Sequence, residues 1–107
     1  MAEVLIRDVD IESKACVYFD GKIVARMCYR KDGSRFAVGV VTPGCYTFEV
    51  GDREVVHVTA GEVEILMPGE KDWERVVAPG VYRPVANSQY QVKTEGIAEY
   101  LCEYFKD

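Results

Sequence analysis

A carboxylate, two cations and a set of aromatic rings carry the chemistry available to this sequence. Glu54 opens the apolar run EVVHVT and shares its alternation with Val56 and Val58. If those valines face a core, the carboxylate faces the same way, close to one end of it. There it can accept from hydroxyls or, when protonated, donate. Arg35 and Lys22 fall at strand ends. An Arg grips two oxygens of an anion at once, whereas a Lys acts as a point charge. Gln91 offers a donor and an acceptor together, although Tyr90, its neighbour in the alternation, competes for the inward position. Tyr46, Phe48, Tyr82, Tyr100 and Tyr104 provide flat faces on which a planar ring can stack. Each type also has an ordinary use: a solvated strand-end charge, a turn carboxylate in water, or a packed core ring.

Other reactive types point elsewhere. His57, the sole histidine, alternates with Val56 and Val58 and so faces the opposite side, on the surface or at an interface. Trp73 stands among charged neighbours and reads as packing or a subunit contact. Cys16, Cys28, Cys45 and Cys102 form no C-x-x-C pair, which argues against a structural zinc site. All four are expected to be buried free thiols.

The elements that hold these residues are short strands. Lys22–Arg30, Arg35–Thr42 (broken or bulged at Gly39), Glu54–Thr59 and Glu62–Met67 read as strands. So do Trp73–Ala78, Val81–Arg83, Gln89–Thr94 and Ile97–Phe105. An aromatic strand after Pro43-Gly44 is joined to Glu54–Thr59 by Gly51-Asp52, a hairpin signal. Tyr18–Gly21 and Lys31–Ser34 are turns. In the last strand Ala98, Tyr100, Cys102 and Tyr104 share one face, and Glu99, Leu101 and Glu103 the other. No segment carries helical periodicity. Roughly nine or ten short strands in one small domain predict an all-β double-sheet jelly roll or barrel.

Length and composition agree with one soluble domain. The chain has 107 residues, 49% hydrophobic and 29% charged, with a net charge of -5. That charge disfavours nucleic-acid polymers and anionic membrane surfaces, and no apolar run has the length of a membrane span. The opening MAEVLIRDVDIES lacks the pattern of a signal peptide, so a cytoplasmic location is expected. Val4, Ile6 and Val9 suggest an edge strand in an N-terminal extension, 1–16, ahead of the main domain, 17–107.

The turn spacing suggests a cupin-type double-stranded β-helix barrel. Its two glycine-bounded segments would be Gly44–Gly61 and Gly80–Asn87, the latter with Ala86 where the motif has Gly. A three-histidine metal site is excluded by the single His57, so no metal and no cofactor are expected.

A closer resemblance rests on an ordered set of stretches. YFDGKIV near Tyr18, SRFAVGVVTPGCYTF at 34–48, VTAGEVEILMPG, KDWE at 71–74, ANSQYQVK at 86–93 and AEYLCEYF at 98–105 occur in this order. Together they resemble the pyrimidine/purine nucleoside phosphorylase family of small bacterial cupins over about residues 17–105. The resemblance implies a cupin homodimer that converts nucleosides and inorganic phosphate into free base and pentose 1-phosphate. It implies a broad range: uridine, cytidine, thymidine, xanthosine, adenosine, guanosine and inosine. Arg35 and Lys22 would then hold phosphate, with Arg35 and Glu54 in the catalytic step. Glu54 would bind ribose hydroxyls or donate to the base. Tyr46, Phe48, Tyr82, Gln91 and Tyr100 would bind substrate. The chain departs from the family in carrying Cys45 where Glu is usual, and Val55-Val56 after the retained Glu54.

Overall fold

Alternating inward and outward residues make eleven strands in the computed structural model, which describes residues 3–106. They are β1 (Asp10–Ile11), β2 (Cys16–Tyr18), β3 (Ile23–Tyr29), β4 (Arg35–Val41), β5 (Gly44–Val50) and β6 (Glu54–Ala60), then β7 (Glu62–Leu66), β8 (Glu74–Val77), β9 (Gly80–Tyr82), β10 (Ser88–Thr94) and β11 (Ala98–Tyr104). Seven form one sheet in the order β1-β3-β4-β11-β6-β9, with β2 also on β3. Four form a second sheet, β5-β10-β7-β8. Two antiparallel sheets face one another, as a cupin requires, and Val56 and Val58 of β6 look into the space between them.

Gly51-Asp52 does not close a hairpin. β5 pairs with β10, placing Phe48 opposite Tyr90, while β6 pairs with β11, placing Val56 opposite Cys102. The turn instead carries the chain from one sheet to the other. It is fixed by the Asn87 N–H donating to the Gly51 carbonyl at 2.8 Å and the Phe105 N–H donating to the Arg53 carbonyl at 3.0 Å. The physical reason is burial. A hairpin would leave the apolar faces of β5 and β6 side by side in one sheet. Crossing over sets them face to face, and Tyr46, Val50, Val56 and Val58 join a single core.

β4 runs without a break through Gly39, which pairs with Ala25 on one side and Tyr100 on the other. The irregularity lies instead in the β6–β11 pairing, where Glu99 meets Ala60 and Tyr100 meets Val58, so that Thr59 on β6 is skipped. Gly39 is required for space: a Cβ built on it would come within 2.7 Å of the Tyr100 ring.

The N-terminal segment pairs with β3 through Asp10–Ile11 and Cys16–Tyr18, not through Val4 or Ile6. Ile6 and Val9 pack instead on the outer face of the larger sheet, against buried Cys28, Phe36 and Leu101. All four cysteines are free, but only Cys28 and Cys102 are buried. Cys45 is exposed because Tyr46, its neighbour along β5, takes the inward position.

Candidate functional site

The register of the larger sheet places the reactive residues in rows. Residues directly opposite in adjacent strands share a face, so Arg35 on β4, Tyr104 on β11 and Glu54 on β6 form one row. The next row inward is Ala37, Cys102 and Val56; the one after is Gly39, Tyr100 and Val58. The small side chains at Ala37, Gly39 and Ala25 leave room, and a cavity of about 410 Å³ lies over these rows. That is within the range that takes a small organic ligand. Phe48, Tyr82, Tyr90, Tyr100 and Tyr104 contribute to its wall, with Glu54 and Cys102 among them. Four of its exposed lining residues, Tyr18, Phe19, Thr47 and Glu49, sit on β2, the turn after it, and β5. The cavity therefore opens between those edges of the two sheets.

Of the residues singled out in the sequence, Glu54, Phe48, Tyr82, Tyr100 and Tyr104 line this cavity. Arg35 is exposed at its margin, its guanidinium 5.1 Å from the centre of the Tyr104 ring. Two strand spacings separate it from Glu54, about 10 Å between backbones. Lys22 does not join them. It precedes β3 at the end where Ile23 meets Val41, whereas Arg35 meets Tyr29 at the other end; the strand between spans about 20 Å. Tyr46 is buried beside the cavity, with its hydroxyl donating to the Thr42 carbonyl at 2.8 Å. It anchors the turn before β5 and packs on Phe19. Gln91 lies on the outer face of β10, because Tyr90, Val92 and Thr94 take the inward positions. Tyr90 and Val92 are the residues of that strand that line the cavity.

Sequence reading raised Tyr90 only as the competitor of Gln91 for the inward position and left out Cys102, Tyr18 and Phe19. Tyr90 and Cys102 were within reach, since Tyr90 shares its parity with Val92 and Cys102 lies between Tyr100 and Tyr104 on one face. Tyr18 and Phe19 belong to a short edge strand and its turn, where periodicity carries no signal. His57 faces outward, with Nε2 2.9 Å from Glu103 Oε1, and Arg30 donates to the other Glu103 oxygen at 3.2 Å. It takes no part in the cavity. Among the described residues no three His, Cys, Asp or Glu side chains converge as a metal site would need.

The polar centre of the cavity is uncharged or reluctant to charge. Burial raises the Glu54 carboxyl above its ordinary range, only partly opposed by the thiol of Cys102, which donates to Glu54 Oε1 at 3.4 Å. Burial, followed by the neighbouring Glu54 carboxylate, pushes the Cys102 thiol well up, so it remains a donor. Burial likewise drives up the hydroxyls of Tyr82, Tyr90, Tyr100 and Tyr104. The Tyr82 and Tyr90 hydroxyls are 3.2 Å apart. These two hydroxyls carry two protons and share one hydrogen bond, so one proton is free to meet a ligand. The site thus combines a carboxyl whose ionisation burial disfavours, neutral hydroxyls and flat aromatic walls, with a cation at its margin.

Comparison with known proteins gives this geometry a family. Residues 13–104 match the family model described as pyrimidine/purine nucleoside phosphorylase. A pyrimidine/purine nucleoside phosphorylase of Syntrophotalea carbinolica is 35% identical over 100 residues, covering 94% of this chain and 96% of that protein. A solved structure from Acinetobacter sp. ADP1, described as a protein of unknown function, superimposes with a TM-score of 0.90 at 24% identity. It covers 94% of this chain and 97% of its own. A cupin superfamily protein of Desulfitobacterium hafniense DCB-2 gives a TM-score of 0.66 at 12% identity, over 88% of this chain and 84% of its own, and shares the fold alone. With the barrel of a cupin and a match running from just ahead of β2 to the end of β11, the chain belongs to the pyrimidine/purine nucleoside phosphorylase family.

Proposed function

We propose that the chain is a pentosyltransferase that phosphorolyses purine and pyrimidine nucleosides with broad specificity, releasing free base and pentose 1-phosphate. The observation that carries this reading is Glu54. A carboxyl whose pKa is raised by burial, at the end of a cavity walled by tyrosines, is equipped to protonate a leaving base. A phosphate oxygen attacks the anomeric carbon of the pentose as the bond to the base nitrogen breaks. The bonding electrons go to the base, which takes a proton from Glu54; Glu54 regains one from the acidic phosphate or from water. No covalent enzyme intermediate forms. Arg35, in the same row as Glu54, is the cation assigned to phosphate. Its separation from Lys22 leaves Lys22 outside that grip. Phe48, Tyr82, Tyr90 and Tyr100 supply faces that stack on any base, which favours a broad range.

The reading is tested by incubating the purified chain with uridine, inosine and adenosine, with and without phosphate. Base and ribose 1-phosphate are expected only when phosphate is present. Equal release without phosphate would make it a hydrolase. No release from any nucleoside would leave a cupin that binds a small molecule without turning it over.

A further inference from the structure

The turn Phe19–Gly21 holds three consecutive residues at positive φ: Phe19 at 53°, Asp20 at 55° and Gly21 at 89°. Glycine tolerates this region, but a bulky aromatic rarely enters it, because Cβ crowds the following carbonyl. Strain of this kind persists only where the surroundings impose it. Here they do. The Lys22 N–H donates to the Phe19 carbonyl at 3.2 Å, and the Lys22 carbonyl accepts from the Thr42 N–H at 3.0 Å and its hydroxyl at 2.7 Å. Thr42 in turn lies 3.3 Å from the Tyr46 hydroxyl. The turn is therefore tied to the ends of β4 and β5.

Core packing does not account for a Phe in this position, since the residue is 41% exposed. Its ring lies 5.0 Å from Tyr46 and 5.9 Å from Phe48, and Phe48 continues to Tyr90 at 5.8 Å in a stacked arrangement. Phe19 thus begins a line of aromatic rings that leads from the opening of the cavity to its polar centre. One side of the ring is backed by Tyr46 and Phe48, and the exposed remainder borders the opening.

From this geometry we propose that Phe19 is a substrate-contacting residue, held in a strained turn to stack on the planar heterocycle of the ligand at the cavity opening. The proposal rests on the nucleoside reading for the identity of that heterocycle. Three variants test it: Phe19→Gly, Phe19→Leu and Phe19→Tyr. Phe19→Gly relieves the backbone strain but gives up the ring contacts with Tyr46 and Phe48, so its Tm should stay close to that of the wild type. Yet KM for both inosine and uridine should rise about 5- to 100-fold, the range for loss of one base–aromatic stack. Phe19→Leu keeps the strain and loses the stack, so KM should rise without a gain in Tm. Phe19→Tyr should restore KM.

An unchanged KM in Phe19→Gly, or a Tm that falls with it as for a core truncation, would overturn the proposal. Calorimetric titration with adenine and uracil separates this from the underlying reading, because it needs no turnover. If the wild type binds free bases and Phe19→Gly does not, while no nucleoside is cleaved, the phosphorylase reading fails and Phe19 keeps its role. A chain that cleaves nucleosides with Phe19→Gly unimpaired overturns Phe19 alone. A chain that neither binds nor cleaves overturns both.

Discussion

The thiol of Cys102 donates to Glu54 Oε1 across 3.4 Å, where both side chains line the cavity. The contact lowers the Glu54 pKa against the upward push of burial. Tyr82, Tyr90, Tyr100 and Tyr104 lie near this pair, and burial keeps each of them neutral; Glu103 also acts on Cys102. Cys102→Ala removes the donor, so Glu54 should stay protonated to higher pH. If protonated Glu54 is the active form, the alkaline limb of the kcat/KM profile should move up in Cys102→Ala and return in Cys102→Ser. A limb that stays in place in both would separate Cys102 from the acid.

Glu54 itself links activity to stability with opposite signs. A carboxyl with a folded pKa above its unfolded one stabilises the fold below the unfolded pKa, 4.5 in the ordinary case. That contribution is lost as pH rises through the raised folded value. The Tm of the wild type should therefore fall over this interval, while that of Glu54→Gln should stay flat and lie above it at neutral pH. The same variant should lose about 10²- to 10⁴-fold in kcat, the usual worth of a positioned acid. A Glu54→Gln variant with full activity would remove the carboxyl from the mechanism. One with the wild-type dependence of Tm on pH would show that Glu54 is already solvated.

Arg35 and Lys22 should separate in kinetics as they do in space. Arg35→Ala should cost about 2–4 kcal/mol of transition-state stabilisation, by analogy with the loss of one oxyanion donor. That corresponds to about 30- to 1000-fold in turnover. Since Arg35 is exposed, the fold should survive, and the Tm should change little. Lys22→Ala, at the opposite end of β3, should leave the KM for phosphate near its wild-type value. Equal losses from both variants would contradict the assignment of phosphate to the Arg35 row.

The inward parity of β6, β10 and β11 explains how far the sequence could be read. Glu54, Tyr100 and Tyr104 lie where alternation puts them, because a strand buried on one face leaves its period in the sequence. The sheet to which each strand belongs leaves no such trace. Gly51-Asp52 has the composition of a hairpin turn, yet β5 finds its partner in β10, and burial of two apolar faces outweighs local turn chemistry. Lys22 and Arg35 looked equivalent as strand-end cations, but the antiparallel pairing of β3 and β4 sends them to opposite ends. Gly39 looked like a break because glycine weakens a strand, and the reason for it, a ring lying against its backbone, belongs to β11.

Gly39→Ala tests that reason. The added Cβ would meet the Tyr100 ring at 2.7 Å, so the ring must shift toward the cavity or β4 must move away from it. Overpacking of this kind costs about 1–3 kcal/mol. A lower Tm and a higher KM for nucleosides are expected together, and Gly39→Ala combined with Tyr100→Ala should recover much of the Tm. Failure of the double variant to recover would mean that the clash is not what makes glycine necessary.

The last expectation concerns assembly. Val17, Val24 and Val40 are cross-strand neighbours on β2, β3 and β4 and form one row on the outer face of the larger sheet. They are 62%, 38% and 36% exposed. Ile6 and Val9 cover a different part of that face, over Cys28, Phe36 and Leu101. A row of exposed β-branched side chains on a regular sheet is a surface that a second copy of the same sheet can cover about a two-fold axis. Light scattering at micromolar concentration should therefore give twice the 12.1 kDa mass of the chain. Val24→Asp places a charge at the centre of the row and should give the single-chain mass with its Tm little changed. A wild-type chain that scatters as 12.1 kDa would rule out the homodimer, and a Val24→Asp variant that stays dimeric would move the interface to another face.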